Sequence, residues 1–170
     1  MKKNAIIITM ILFFTLLGCN SKKFNERLFV GTKDFINPTF LNENRVRYAS
    51  YKNQDNDLGD SSSTDYYTDD EAPLYRIITI NDKEMYEKVF NDSFIDVDFD
   101  REVIYIYIYA ETYAGRKYSI HKISIENDTI IITCQRKKTH LNDGCEPSAN
   151  CLIVVMDKTG CDTVKFELFE

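Results

Sequence analysis

Five cysteines, two histidines and a run of alternating aspartates are the residues of this chain that could do chemistry. Cys134, Cys145, Cys151 and Cys161 crowd together with ten, five and nine residues between them. Structural zinc sites usually bring two cysteines together at a spacing of roughly two to four residues. The observed spacing therefore favours two disulfides in an oxidising compartment over a metal. Cys145 and Cys151 flank one expected loop and make the easiest local pair, which leaves Cys134 for Cys161. Asp96, Asp98 and Asp100 fall at a spacing of two and could share one face, but they read as an acidic approach to a strand. His121 lies within an expected strand, alternating outward with Ile123, and His140 in a Thr-His-Leu-Asn loop. No nucleophile signature such as Gly-x-Ser-x-Gly is present. The residues predict no catalytic centre, metal or cofactor.

The element that must position everything else is Arg101-Glu-Val-Ile-Tyr-Ile-Tyr-Ile-Tyr-Ala110. Ile104, Ile106 and Ile108 alternate with Tyr105, Tyr107 and Tyr109, and a period of two puts each set on one face of a β-strand. Both residue types favour strands. The Ile face should pack on a helix over residues 82–90, with Asn81 as its N-cap, Glu84 completing a capping box and Asn91 closing its end. Met85, Tyr86, Val89 and Phe90 share the inward stripe of that helix. Strands are predicted over 74–80, 118–126, 129–137 and 151–156, with Val164, Phe166 and Leu168 alternating in a last one. Asn127-Asp128 is a two-residue turn of the kind that joins hairpin strands. These elements predict an α+β class: an antiparallel sheet of about six strands, with one N-terminal helix packed on one face.

The Tyr face has two readings. Tyr105, Tyr107 and Tyr109, with Tyr113 and Tyr118 near the following turn, could form a partner-binding surface, since Tyr offers apolar area with a polar tip. Alternatively a second layer covers them, for which Leu28-Phe29-Val30 and Val46-Arg-Tyr48 are candidates.

Residues 1–20 carry an address. Lys2 and Lys3 precede an apolar run from Ala5 to Leu17. That run is shorter than the ~20 residues a membrane-spanning helix needs and suits a signal-peptide core. It ends in Leu16-Leu17-Gly18-Cys19, which resembles the lipobox of bacterial lipoproteins. The resemblance implies cleavage after residue 18, acylation of Cys19 with palmitate-type chains, and attachment to the outer membrane or the outer face of the cell membrane. The 170-residue chain has a formal net charge of −6; loss of Lys2 and Lys3 leaves 19 basic against 27 acidic side chains, or −8. No basic stripe is present, which argues against nucleic-acid binding.

Composition divides the rest. Residues 53–72 hold seven acidic side chains and no basic ones, a solvated composition. Asp55-Asn-Asp57-Leu-Gly59-Asp60 fits an EF-hand in neither register, because Gly and the closing acidic ligand fall at the wrong positions. The expected organisation is a signal peptide over 1–18, a lipid-anchored N-terminal segment with an acidic linker over 19–72, and a folded domain over 73–170.

That domain resembles a known family. Asp82-Lys-Glu84-Met-Tyr86 opens the helix, and Val97-Asp-Phe-Asp-Arg-Glu-Val103 opens the central strand. A turn holding Gly115 precedes Tyr118-Ser-Ile120, and a late loop with Cys145 leads to a hydrophobic strand ending at Lys158. The order is similar to the PrcB-like domain, named after the accessory lipoprotein subunit of a subtilisin-type surface protease. The resemblance implies a non-enzymatic, lipid-anchored protein-binding module that serves as an accessory or stabilising subunit of an exported protease. The alternative is an envelope lipoprotein that binds a small ligand or glycan on the Tyr-lined sheet.

Overall fold

The computed structural model describes residues 23–30, 35–47, 50–52, 64–66, 72–91, 95–113, 116–139 and 144–170. Of residues 50–52, 64–66, 112–113 and 144–148 it describes the backbone. Residues 1–22, Cys19 among them, most of the acidic segment and His140 lie outside the described residues.

Two β-sheets and a helical layer are stacked around the central strand. In chain order the elements are β1 (Glu26–Val30), α1 (Pro38–Glu43), β2 (Ser50–Lys52), β3 (Thr64–Tyr66), β4 (Tyr75–Ile80) and α2 (Lys83–Val89). They continue with β5 (Glu102–Tyr113), β6 (Lys117–Glu126), β7 (Thr129–Lys137), β8 (Gly144–Asp157) and β9 (Thr163–Phe169). The main sheet has β5 between β4 and β8, both antiparallel to it. Along the far edge of β8 lie β1, antiparallel over five residues, and the short β2–β3 pair. A second sheet has the order β6-β7-β9. The α+β class holds in outline, but two sheets replace the single antiparallel sheet of about six strands.

The division has a physical reason. Alternation fixes which face a residue lies on, not which strand is its neighbour. β5 and β6 follow one another in the chain but belong to different sheets, as do β7 and β8, and then β8 and β9. Because β8 reverses the chain in the other sheet, β9 returns in the direction of β7 and pairs with it in parallel, from Thr129↔Thr163 to Gln135↔Phe169. The hairpin β6–β7 is as predicted: Asn127 and Asp128 have φ of 48° and 63°, the left-handed pair that matches strand twist in a two-residue turn.

The Ile face packs as expected. Ile104, Ile106 and Ile108 are fully buried with Val89, Phe90, Cys151, Ile153 and Val155, and Met85 packs against them. The helix cap is one residue later than predicted: the Asp82 carboxylate accepts from the Met85 N–H at 2.8 Å, while Glu84 pairs with Lys88 at 2.7 Å. Phe90, not Asn91, ends α2, and the Asn91 N–H donates to the Phe35 carbonyl.

The folded body also begins earlier than residue 73. Phe24, Ile36 and Val46 are buried, and β1 pairs with β8 from Glu26↔Met156 to Val30↔Leu152. Asn37-Pro38 starts α1: the Asn37 side chain accepts from the Thr39 N–H at 2.9 Å and Pro38 occupies the first turn. Proline costs nothing there, because that N–H would have no partner within the helix.

Candidate functional site

The tyrosines proposed as a partner surface lie inside the sandwich. Tyr105 is 5% exposed and Tyr109 6%, packed with Ile130, Ile132, Cys134, Leu152, Val154 and Phe166. The Tyr107 ring stacks on Phe166 at 5.0 Å and on Tyr109 at 5.2 Å. Tyr118 is half-buried in the same cluster; the side chain of Tyr113 lies outside the described residues. The covering layer is the second sheet, and β1 runs in the plane of the main sheet instead. Burial pushes the Tyr105 phenol up to about 12 and raises Tyr109 as well. Tyr105 and Tyr109 are core, with Tyr107 and Tyr118 partly buried against them, so these rings do not form an open Tyr-lined face.

The expected disulfides are absent, since Cys134, Cys151 and Cys161 are free thiols. Cys145 and Cys151 lie on one strand, β8, and six residues of extended chain span about 20 Å. Cys161 precedes β9, whose register sets Leu168 beside Cys134, so Cys161 falls roughly 20 Å along the sheet from it. A disulfide needs Cα atoms within about 7 Å. Cys134 and Cys151 serve as small apolar residues in different cores, and burial raises both thiols, Cys134 to about 11.

His121 falls at a bulge in the β6–β7 ladder, exposed, its ring 5.2 Å from Phe169. Asp96, Asp98 and Asp100 are exposed. The Asp98 carboxylate accepts from the Asp100 N–H at 3.1 Å. It serves there to close a turn that leads into β5. Among the described residues no cluster of three His, Cys, Asp or Glu could hold a metal ion.

What the structure does bring together is a set of charges that the sequence reading passed over. On β5 the inward positions 103, 105, 107 and 109 continue to Glu111, 7% exposed. On β7 the inward series Ile130, Ile132, Cys134 ends in Arg136, and on β9 the series Val164, Phe166, Leu168 leads to Glu170. Arg116 stands just before β6, two residues ahead of Tyr118. Three inward stripes thus end in charge at the same end of the sandwich, where Arg116 joins them.

Their contacts form one network. The Tyr118 hydroxyl donates to Glu111 Oε2, and Arg116 Nε lies 3.4 Å from Glu111 Oε1. Arg136 Nη1 is 3.9 Å from Glu111 Oε2. Arg116 Nη1 and Arg136 Nη2 both donate to Glu170 Oε1, at 3.0 and 3.1 Å. Asn150 Nδ2 donates to the Tyr109 hydroxyl at 2.9 Å. Burial first, then the bond to Glu111, pushes Tyr118 up to about 12. The side chains of Arg116 and Glu111 are only 5% and 9% exposed, against 57% for Glu170.

Chemically the network is a carboxylate clamp. A buried charge survives only when it is paired and hydrogen-bonded, and here two guanidinium groups balance two carboxylates. Both Glu111 oxygens are engaged, which fixes the position of the carboxylate. The sequence signal was available: a charge at the inward parity of three separate strands is unusual unless the charges meet.

Compared with family models, curated proteins and solved structures, the chain gives no match. No helix among the described residues is long and apolar enough to cross a membrane.

Proposed function

We propose that this protein is a lipid-anchored, non-enzymatic binding module of the bacterial envelope. The observation that carries this is Leu16-Leu17-Gly18-Cys19 at the end of a thirteen-residue apolar run. Two or three acyl chains, at about 0.8 kcal/mol per buried CH₂, hold a protein on a bilayer firmly. The fold adds a constraint on what it can reach. The buried Phe24 follows Cys19 by only five positions, and that length of chain spans at most about 18 Å. The sandwich therefore rides close to the membrane, and the acidic segment is an insertion between β2 and β4, not the tether. A partner must be membrane-proximal. An exported protease is the partner class that the resemblance to the PrcB-like domain suggests.

Two measurements test this on protein from its own cells. Intact mass spectrometry should show a chain beginning at an acylated Cys19; a chain that retains residues 1–18, or a free Cys19 thiol, removes the anchor. Cross-linking should yield an exported protease as the dominant partner. Bulk envelope proteins alone would remove the protease-accessory role.

A further inference from the structure

Arg116 and Arg136 are held from two sides. Glu111, itself held by the Tyr118 hydroxyl, fixes them from the interior, and Glu170 caps them from the solvent. The two carboxylates differ in what they could give up. Glu111 is enclosed, whereas Glu170 is more than half exposed and bonds both guanidinium groups through the single oxygen Oε1. Nε of Arg136 is buried without a hydrogen-bond partner among the described residues, which leaves donor capacity in the clamp. The Arg116 bond, then the field of Lys138, lowers the Glu170 carboxyl below its usual range, so an anion is the favoured occupant at neutral pH.

We propose that Arg116 and Arg136 form a carboxylate-binding site, that Glu170 fills it at rest, and that an acidic side chain of a protein partner exchanges with Glu170. Three features support it. The site is preorganised, because Arg116 is nearly enclosed and cannot swing away. It prefers a planar carboxylate, because guanidinium forks match that group. Removal of Glu170 would leave Arg116, Arg136 and the nearby Lys138 against Glu111 alone at a partly buried site, which raises affinity for a replacement anion. The use of this site by a partner rests on the binding-module reading above; the site itself does not.

Glu170 directly follows β9, so it is a pre-positioned intramolecular ligand with an effective concentration on the order of 1 M or above, well over the acetate used. A small free carboxylate should thus fail to displace it but should fill the site once it is gone. The test compares the thermal midpoint of the full acylated protein in detergent, in acetate and in chloride at equal ionic strength and neutral pH. For Glu170→Ala, about 100 mM acetate should raise the midpoint by roughly 3 °C over chloride. Wild type should show no difference, and Glu170→Ala combined with Arg136→Met should lose the response. Glu170→Gln, which keeps the shape without the charge, serves as the second variant and should also respond. Equal midpoints in acetate and chloride for both single variants would overturn the site. Cross-linking separately reads the partner: capture should rise in Glu170→Ala and fall in Arg136→Met. Unchanged capture alongside an acetate response would overturn the partner's use of the site while leaving the site in place.

Discussion

The two faces of β5 bury similar numbers of side chains by different means. On the helix side Ile104, Ile106 and Ile108 are themselves hydrocarbon and pack in a cluster of aliphatic, sulfur-containing and aromatic side chains. On the other side Tyr105, Tyr107 and Tyr109 lead to Glu111, so each buried ring carries a hydroxyl and the stripe ends in a charge. Hydrocarbon packing is non-directional and tolerates adjustment. A hydroxyl or carboxylate must find its partner at a set distance or cost free energy. The helix side therefore supplies burial, and the sandwich side supplies burial and also fixes where the second sheet must sit.

That contrast can be broken at graded cost. The largest effect is expected for Glu111→Ala, which strands Arg116 beside Arg136 without its inner carboxylate. Truncating one partner of a buried ion pair costs about 3–5 kcal/mol, to be read by urea unfolding. A loss under 1 kcal/mol would show that solvent reaches the clamp. Tyr109→Phe should cost about 1–2 kcal/mol, because it leaves Asn150 Nδ2 without its acceptor. Ile106→Val, on the opposite face of the same strand, should cost only about 1 kcal/mol. If the order of the last two reverses, the polar network is not what distinguishes the faces.

Alkaline pH sharpens the same comparison. Tyr105 is raised to about 12 by burial, so the folded state keeps a proton that the unfolded chain begins to lose near pH 10. The unfolded state then binds fewer protons than the folded one, and stability falls as pH rises. The contribution is complete below about pH 10 and lost by about pH 12, with a slope of up to about 1.4 kcal/mol per pH unit for this one group. Tyr105→Phe should flatten that slope while Ile106→Val leaves it unchanged. Unfolding followed at several pH values reads both.

Much of this was legible in the sequence, and what was not has a common cause. The alternation of β5, the packing of α2 on its Ile face and the Asn127-Asp128 turn follow from local pattern, and all three are present. The cap moved by one residue because Asn81 and Asp82 can both cap and only the entry angle of the chain chooses between them. The separation into two sheets was hidden, since β6 and β9 carry the same period-two signal in either arrangement. The cysteines misled because an exported chain with four clustered thiols suggests bridges, while strand register keeps the expected pairs apart. The clamp was missed because Glu111, Arg116, Arg136 and Glu170 lie far apart in sequence and form no local motif. Their shared parity becomes meaningful only when the strands are stacked.

The claim on which the rest depends is that the Tyr face of β5 is interior. Nitration of the native protein by tetranitromethane, mapped residue by residue with mass spectrometry, tests it most directly. Tyr75, 51% exposed on β4, should react at least about tenfold faster than Tyr105 and Tyr109, which should react only through opening of the fold. Nitration of Tyr105 and Tyr109 at the rate of Tyr75 would contradict the sandwich and return that face to solvent.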